Sequence, residues 1–483
     1  MLAYPRNLIA IPTLAILALA AMPAHAGGEP RMFAREAYIK PADAAMSMQF
    51  GISVAVEGRT LVGGAIFAGI RGGAYVFERN DLNEWVQRAF LQSPNPAVGN
   101  GGAAVAISGD TIAVSGRSLS NSYITIFARD AMGQWFFQAE LPLPALDGRV
   151  IALSGDTLAY TANGQINVYV RDEMGDWNPQ QAFRHPAATG GFGNALDIEG
   201  DTIVVGDAYF PHTNAGVAYV YARDANGVWS PQATLAASNA GMGDAFGGSV
   251  AISHGVIAVG AQGESSGATG VNGDQADNSV ELAGAVYVFV PDGMGQWTQH
   301  AYIKPSNPGV ADLFGAAIDL SGDIMVVGAY QEDGGATGVN GNPFENSIMD
   351  SGAAYVFVRD SQGEWSQQAY LKASNPDADD WFGFRLGISG NTIVATSFME
   401  DGGSIGVNGL QNDNSASNAG AVYTYIASGD SDGDGILDAF DQCPFNTPGA
   451  EIDSEGRPLH DCNGDCAFDS LDIQCIVANL LGQ

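Results

Sequence analysis

The sequence predicts an all-β fold in which a unit of four short antiparallel strands is repeated seven times. Four short apolar runs recur in every repeat, and none of them has a helical period. A turn of the Ser-Gly-Asp type occurs seven times, at Gly58, Gly109, Gly155, Gly200, Gly255, Gly322 and Gly390. Six of the seven tryptophans stand in one recurring phrase, at spacings of 50, 42, 52, 68 and 68 residues: Trp85, Trp135, Trp177, Trp229, Trp297 and Trp365.

Each repeat places the same elements in the same order. A strand such as 284–289 leads into a turn rich in Asp, Asn and Gly, such as 223–228, and a tryptophan strand such as 367–371 follows. Glycine and asparagine accept the positive φ that tight hairpins need, so these turns favour hairpins. A Phe-Gly pair, a third strand such as 249–252, the Ser-Gly-Asp turn and a fourth strand such as 202–206 complete the unit.

A four-stranded unit of this kind cannot bury both of its faces alone, so neighbouring units must stack. Radial stacking into a closed ring is the usual solution for such repeats, and seven units fit a ring. A β-helix or a sandwich would not require four strands in every period. The sequence therefore predicts a seven-bladed β-propeller with four-stranded antiparallel blades over residues 27–427.

The two ends of the ring are predicted to meet in blade seven. The seventh repeat ends at residues 421–426 and has no tryptophan strand of its own. Residues 33–40 match residues 365–372 when Ala37 is aligned with Ala369, and no earlier blade exists to use them. We expect this N-terminal strand to pair antiparallel with residues 421–426 as the outer strand of blade seven, where it would cover an exposed edge.

Phe-Gly pairs open strands that lead to Val-Gly-Ala, at residues 50–51, 192–193, 246–247, 314–315 and 382–383. This pattern resembles the FG-GAP repeat of integrin alpha chains and of many bacterial secreted proteins, and the likeness covers about 390 residues. Gly101-Gly102 and Asp147-Gly148 stand where the second and third repeats should carry Phe-Gly. Integrin-type blades often hold calcium in a DxDxDG loop. Here such a loop occurs only from residue 430 onwards, so the resemblance implies no calcium inside the ring.

The N-terminus predicts export from the cytoplasm. Arg6 supplies a positive charge, residues 8–22 are apolar apart from Thr13, and Ala24-His25-Ala26 forms a small-x-small cleavage site. This order of regions is typical of a signal peptide, here residues 1–26 with cleavage after Ala26. The apolar run is short for a membrane span of about 20 residues. We therefore expect a secreted, extracellular or cell-surface protein without membrane insertion.

The charge of the chain narrows the choice of partners. The formal net charge is −34, from 53 acidic and 19 basic residues. Such a surface repels phosphate backbones and anionic lipid, which argues against nucleic acid and membrane surfaces. It favours divalent cations or a basic partner, although an adaptation for solubility would give the same composition.

Residues 428–459 are predicted to contain a first calcium loop. Carboxylates stand at positions 1, 3, 5, 9 and 12 of a twelve-residue loop, Gly435 supplies the turn at position 6, and position 7 offers a backbone carbonyl. This spacing wraps oxygen ligands around one Ca²⁺ ion. Together with Gln442-Cys443-Pro444 the stretch resembles a thrombospondin type 3 repeat. The predicted ligands are Asp430, Asp432, Asp434, Ile436, Asp438 and Asp441.

Residues 460–483 repeat the calcium pattern and lead into a short apolar helix over 471–481. The module resembles one half of a type I dockerin, which docks enzymes onto cohesin scaffolds. Cys466 replaces the glycine at position 6, and Pro444 and Pro448 leave no room for a helix after the first loop. A cap that ends the chain is therefore the alternative to docking on a cohesin. The predicted Ca²⁺ ligands are Asp461, Asn463, Asp465, Ala467, Asp469 and Asp472.

The four cysteines all lie in this tail. Disulfides would staple a segment too small to form a core of its own, as is common in exported proteins. A zinc site is the alternative, but the tail has neither CxxC pairs nor well-placed histidines. The sequence leaves the pairing open among Cys443, Cys462, Cys466 and Cys475.

Three long loops in blades five, six and seven form the candidate ligand face. They span residues 262–282, 331–351 and 400–418, and they are near copies of one another. A meander places them on the same side of the ring as the blade-to-blade connections. Long ordered loops are often functional, although a neutral insertion copied three times would look the same. The candidate residues are Thr269, Asn272, Asp277, Asn278, Glu332, Asp333, Thr337, Asn340, Glu345, Asn346, Glu400, Asp401, Asn408, Asp413 and Asn414.

The sequence favours a binding protein over an enzyme. Its six histidines share no motif, and the acidic pairs Glu332-Asp333 and Glu400-Asp401 lie in loops, where solvated carboxylates are expected. A propeller fold by itself licenses no activity. We expect a calcium-binding, non-catalytic protein that binds or adheres to a glycan, a cell-envelope component or a surface protein. The alternative is a dockerin-bearing or glycan-active component of a polysaccharide-degrading system.

Overall fold

The structure is a computed structural model that describes residues 31–96, 98–117, 122–143, 150–208 and 215–428. The predicted signal peptide, the calcium loops of the tail, the four cysteines and the pair Asp147-Gly148 lie outside the described residues.

Blades one to four follow one another along the chain. Blade one contains β2 Phe50–Glu57, β3 Thr60–Ala65, β4 Gly73–Arg79 and β5 Trp85–Leu91. Blade two contains β6 Val105–Ser108, β7 Thr111–Arg117, β8 Ser122–Arg129 and β9 Trp135–Leu143. Blade three contains β10 Ile151–Ser154, β11 Thr157–Ala162, β12 Gln165–Arg171 and β13 Trp177–Phe183. Blade four contains β14 Phe192–Glu199, β15 Thr202–Asp207, β16 Val217–Arg223 and β17 Trp229–Leu235.

Blades five to seven carry the long loops. Blade five contains β18 Phe246–Ser253, β19 Val256–Ala261, β20 Ala285–Pro291 and β21 Trp297–Ile303. Blade six contains β22 Ala317–Ser321, β23 Ile324–Ala329, β25 Ala353–Arg359 and β26 Trp365–Lys372, with the short β24 Gly338–Val339 at its outer edge. Blade seven contains β27 Leu386–Ser389, β28 Thr392–Ser397, β29 Ala421–Ser428 and, from the N-terminus, β1 Met32–Ile39.

Each blade is an antiparallel meander, so the prediction of a seven-bladed propeller is confirmed. The predicted closure is confirmed as well, because the fourth sheet position of blade seven is occupied by β1. Strand β1 pairs antiparallel with β29 from Met32 opposite Ser428 to Ile39 opposite Val422, with one register shift between Arg35 and Ala37. The first and last strands of the described chain thus share one sheet.

The glycines of the repeat explain how tightly the blades stack. Gly247 follows Phe246 at the start of β18 with φ +91°, a backbone conformation that residues with a side chain rarely adopt. A Cβ atom on Gly206 of β15 would overlap the carbonyl oxygen of Gly247 in the next blade. The Phe-Gly pair and the Val-Gly strand therefore need glycine for the same reason, which is the close approach of two backbones between neighbouring blades.

The tryptophan hairpins lie on the side of the ring opposite the long loops. Their turns are fixed by an aspartate; for example, Asp130 Oδ1 accepts the N–H groups of Met132 and Gln134 at 2.9 and 2.8 Å. An arginine before each of several turns stacks on the following tryptophan. In blade two, Arg129 Cζ lies 5.2 Å from the centre of the Trp135 ring. The positive φ expected in these turns occurs at Gly133, with φ +79°.

Candidate functional site on the loop face of blades five to seven

We call the surface formed by residues 262–284, 330–352 and 398–420 the loop face. These segments connect the second and third strands of blades five, six and seven. Each one touches the connection that leaves its own blade. The N–H of Ala311 donates to Glu281 O at 2.9 Å, and that of Asp379 donates to Met349 O at 3.1 Å. The three loops and the blade-to-blade connections therefore form one continuous side of the ring.

A glutamate from each loop is buried beneath it against a lysine from the outer strand of the same blade. All three lysines of the chain are used in this way, and the six side chains are at most 2% exposed. The pairs are Lys304 with Glu264 at 2.9 Å, Lys372 with Glu332 at 2.8 Å and Lys40 with Glu400 at 2.5 Å. Lys40 follows β1, so the N-terminal strand supplies the cation for blade seven.

Two tyrosines and an asparagine surround each pair, as blade six illustrates. The Tyr370 hydroxyl donates to Glu332 Oε1 at 2.8 Å, and the Asn307 amide donates to the same oxygen at 3.3 Å. The Tyr355 hydroxyl in turn donates to Asn307 Oδ1 at 2.9 Å. Blade five repeats these contacts with Tyr302, Asn239 and Tyr287, and blade seven with Tyr38, Asn375 and Tyr423.

A second carboxyl group lies close to each pair, in the connection that enters the blade. Asp244, Asp312 and Asp380 each accept a backbone N–H three residues upstream, at 2.6, 2.7 and 3.0 Å. Burial, together with the charge of Glu332, raises the pKa of Asp312 to about 7. Burial likewise raises the pKa of Asp380 to about 8, with Glu400 adding to the effect.

Each loop also reaches the outer edge of its blade. Val271, Val339 and Val407 bridge to the last residues of the outer strands, and in blade six this contact forms β24. The asparagine that follows each valine binds the same strand twice. In blade six, Asn340 N donates to Tyr370 O at 2.8 Å, while Asn340 Oδ1 accepts from Tyr370 N at 2.9 Å. The loop thus covers hydrogen-bonding groups that an open edge would leave exposed.

The structure assigns internal contacts to many of the predicted ligand-face residues. Asn272, Asn340 and Asn408, with φ between +53° and +57°, hold the edge contacts described above. Asp277, Asp333 and Asp401 accept backbone N–H groups of their own loops. Asn414 donates to Asp377 at 2.6 Å. Glu345 and Asp413 are half-buried beside Gly335 and Gly403.

The expected solvation of Glu332 and Glu400 is wrong. Both are about 1% exposed, because each is drawn beneath its loop by a lysine and a tyrosine. Sequence reasoning missed these lysines and tyrosines altogether. A usable signal was present, since every lysine of the chain stands two residues after a tyrosine at the end of an outer strand.

The remaining candidates lie on the outside of the loop face. Thr269, Asn278, Thr337 and Asn346 are exposed there and hold no side-chain hydrogen bond to another described residue. Large apolar side chains stand among them. Phe344 is 73% exposed, Met349 60%, Ile405 56% and Leu410 79%. These four apolar side chains are the candidate contact residues of the loop face.

Two aspartates of the innermost strands lie near the axis of the ring. Asp197 accepts the free-edge N–H of Ile252 in blade five at 2.8 Å, and Asp319 accepts that of Ile388 in blade seven at 2.7 Å. Burial and the charge of Asp319 raise the pKa of Asp197 to about 7. These carboxylates link neighbouring blades from the inside.

Within the described part of the chain, no set of three or more His, Cys, Asp and Glu side chains is arranged to hold a metal ion. The predicted calcium ligands all lie in residues 430–472, outside that part. The described residues also include no helix of the length and apolarity needed to cross a membrane.

Comparison with known families identifies the repeat. The FG-GAP repeat family matches residues 33–77, 229–289, 297–357 and 365–425. The chain is an FG-GAP β-propeller. All four matched segments run from the outer strand of one blade to the third strand of the next, and three of them include the complete long loop of blade five, six or seven. The thrombospondin and dockerin resemblances concern residues outside these matches.

Several solved structures resemble this FG-GAP propeller in fold, at low sequence identity. A protein from Lactobacillus plantarum is 14% identical, with a TM-score of 0.49, over 72% of this chain and 90% of its own. A putative 6-phosphogluconolactonase from Bacteroides uniformis is 15% identical, with a TM-score of 0.48, over 74% and 95%. The periplasmic gluconolactonase of Pseudomonas aeruginosa is 14% identical, with a TM-score of 0.40, over 67% and 86%. No curated protein matches the chain.

Proposed function

We propose that this FG-GAP propeller is a secreted, calcium-binding and non-catalytic protein that binds a protein partner through the loop face of blades five to seven. The observation that carries the proposal is the threefold repetition of one fixed loop on adjacent blades. Each copy is anchored from beneath by its Glu–Lys pair.

Fixed loops suit binding for an energetic reason. A surface that is already ordered loses little conformational entropy when a partner docks, so more of the contact energy appears as affinity. The loops are tied to the outer strands by backbone hydrogen bonds, such as Asn272 N to Tyr302 O and Asn408 N to Tyr38 O, both at 2.7 Å. This anchoring distinguishes them from long surface loops that stay mobile.

The composition of the loop face favours a protein over a glycan. Phe344, Ile405 and Leu410 project from it, and such apolar groups match the desolvated centre of a protein interface. The lysines are all buried, while carboxylates such as Asp274, Asp333 and Asp401 remain at or near the surface. We therefore propose a partner that offers apolar pockets with basic groups around them.

The binding test uses two matched triple variants. The loop-face variant carries Phe344→Ser, Ile405→Ser and Leu410→Ser. The control carries Met132→Ser, Met174→Ser and Met294→Ser, three residues of the hairpin turns that are 82, 85 and 84% exposed. A partner is identified by photo-crosslinking from position 410 to the envelope and extracellular proteins of the source organism, and is then purified and titrated.

We expect the loop-face variant to weaken the titrated affinity at least about tenfold, which corresponds to about 1.4 kcal/mol, and the control to leave it unchanged. Equal affinity of the two variants would reject the loop face as the binding site. A glycan array that retains a ligand on both variants, without any protein partner, would favour the polysaccharide-directed alternative.

Calcium is proposed for the tail, and it is tested separately. Calorimetric titration of the full chain with CaCl₂ should show two sites, and Asp434→Ala should remove one of them because it deletes the carboxylate at loop position 5. A chain that ends at residue 428 should show neither site. Heat of binding that survives this truncation would place calcium in the ring instead.

A further inference from the structure

The buried cluster beneath each long loop contains the reacting groups for an amide bond between side chains. We propose that in blades five, six and seven the lysine and the asparagine that share one glutamate are joined covalently, with loss of ammonia. The bonds would link Lys304 to Asn239, Lys372 to Asn307 and Lys40 to Asn375. This inference goes beyond the proposed binding function and does not depend on it.

The glutamate holds both reacting groups on one carboxylate. In blade six, Lys372 Nζ donates to Glu332 Oε2 at 2.8 Å, and Asn307 Nδ2 donates to Glu332 Oε1 at 3.3 Å. In blade seven the corresponding distances to Glu400 are 2.5 Å from Lys40 and 3.2 Å from Asn375. In blade five they are 2.9 Å from Lys304 and 3.3 Å from Asn239. Because the two groups are already held together, their reaction avoids the entropy cost of an encounter in solution.

The asparagine carbonyl is polarised by a tyrosine. The hydroxyls of Tyr287, Tyr355 and Tyr423 donate to the Oδ1 atoms of the three asparagines at 2.6, 2.9 and 2.8 Å. These tyrosines are fully buried, with 0% exposure. A fixed donor in a water-excluded site stabilises the negative charge that develops on the oxygen when a nucleophile adds to the carbonyl carbon.

The surroundings of each lysine favour its neutral, nucleophilic form. All three ammonium groups are inaccessible to solvent, and burial lowers their pKa, while the adjoining glutamate opposes this shift. Transfer of a proton along the Lys–Glu hydrogen bond gives a neutral amine beside a neutral carboxylic acid. A desolvated amine of this kind is a competent nucleophile.

The reaction needs no oxidant and no second substrate. The lone pair of Lys Nζ forms a bond to Asn Cγ, and the carbonyl π electrons move onto Oδ1, where the tyrosine hydroxyl holds them. The glutamic acid gives its proton to Nδ2, and the resulting carboxylate takes a proton from Nζ. The Cγ–Nδ2 bond then breaks. The products are one secondary amide, one ammonia molecule and a protonated glutamate, which balances the starting ion pair and amide.

Each bond would join the segment that enters a blade to the end of the outer strand of the same blade. Asn239, Asn307 and Asn375 lie in the connections that enter blades five, six and seven, and the lysines lie at the ends of the outer strands. In blade seven the bond from Lys40 to Asn375 would join the N-terminal segment to the last repeat. The closure of the ring would then be covalent as well as hydrogen-bonded.

Intact mass spectrometry of the full chain, reduced and denatured, tests the proposal. We expect a mass below that of the linear sequence by three ammonia masses, and resistance of the Lys372–Ala373 bond to a lysine-specific protease. A mass equal to the linear sequence would overturn the proposal and leave three ion pairs. A gain from hydrolysis of asparagine to aspartate would overturn it equally.

Variants separate this bond from cyclisation of Asn-Gly sequences, which also loses ammonia; three of the seven Asn-Gly sequences of the chain lie in the long loops, at Asn272, Asn340 and Asn408. Glu400→Gln removes the proton carrier of blade seven, so the mass deficit should fall from three ammonia masses to two, and Lys40 and Asn375 should then map to separate peptides. Asn408→Gln is the matched control and should leave all three. The opposite pattern would show cyclisation and overturn the proposal.

Discussion

Blades five to seven and blades one to four share one strand plan but differ in what lies at the end of the outer strand. In the first group that position is a buried lysine: Lys304, Lys372 or Lys40. In the second group the aligned residues, in chain order, are Gln92, Pro142, Arg184 and Ala236. Blade one keeps a related contact without the cation, since the Tyr75 hydroxyl donates to Asp43 at 3.0 Å.

This difference teaches that the ring itself does not need the buried ion pairs. Four blades stack without them, through apolar clusters between neighbouring blades. A buried pair recovers little net stability after its desolvation cost, and such pairs are best understood as fixing one conformation. In this propeller they fix the long loops, which are the feature that distinguishes blades five to seven.

Removing the N-terminal strand should cause the largest loss of folding stability. A chain that begins at residue 41 lacks β1, leaves the edge of β29 open and leaves Glu400 buried without Lys40. We expect the loss of cooperative folding, a change of more than about 5 kcal/mol, which exceeds the margin of many domains. Thermal unfolding followed by circular dichroism measures it. A chain that begins at residue 31 is the control, and an unchanged melting temperature after deletion to residue 41 would refute the closure.

Breaking one buried pair should cost less, but much more than breaking an exposed one. Lys372→Met leaves the Glu332 carboxylate buried without its cation and should destabilise the chain by about 3–5 kcal/mol in chemical denaturation. Asp110→Asn, in a pair with Arg129 whose aspartate is 69% exposed, should cost about 0–1 kcal/mol. Equal costs for Lys372→Met and Asp110→Asn would contradict the role given to the buried pairs.

The axial aspartates give a smaller effect than the buried pairs, and it depends on pH. The pKa of Asp197 is raised to about 7 from 3.8, so the folded state binds its proton more tightly than the unfolded chain does. The stability from this group is therefore present at acidic pH and is lost as pH rises from about 4 to 7. Asp197→Asn should raise stability by about 1–3 kcal/mol at pH 8 and change it little at pH 4. Denaturation at both pH values measures this, and an equal gain at both would contradict it.

Much of the fold was predictable because its determinants are local and repeated. The tryptophan spacing and the seven turns establish the number of blades, and the match between residues 33–40 and 365–372 predicts how the ring closes. The fifth strand β24 was not foreseen. It depends on a loop folding back onto an outer strand, and a two-residue contact has no periodicity to detect.

The candidate site was predictable only in outline. The position of the loops follows from the order of the strands, but Glu332 and Glu400 looked like solvated carboxylates because their partners lie about 40 residues later or, for Lys40, at the other end of the chain. Burial of a charge depends on such distant partners and not on the local composition of a loop. The positions of the three lysines, each two residues after a tyrosine at the end of an outer strand, are the sequence feature that indicates the clusters.

The central claim is that the long loops are fixed by the clusters beneath them, and amide hydrogen exchange of the intact chain tests it most directly. The informative groups are the N–H groups of Asn272, Asn340 and Asn408, which bond to the outer strands at 2.7, 2.8 and 2.7 Å. We predict that these amides exchange as slowly as those of the strands they contact, and that Glu332→Gln speeds exchange at Asn340 while Asn272 stays protected. Exchange of all three in the wild-type chain as fast as at the exposed hairpin-turn residue Glu173, whose N–H makes no hydrogen bond to another described residue, would show mobile loops and contradict the account.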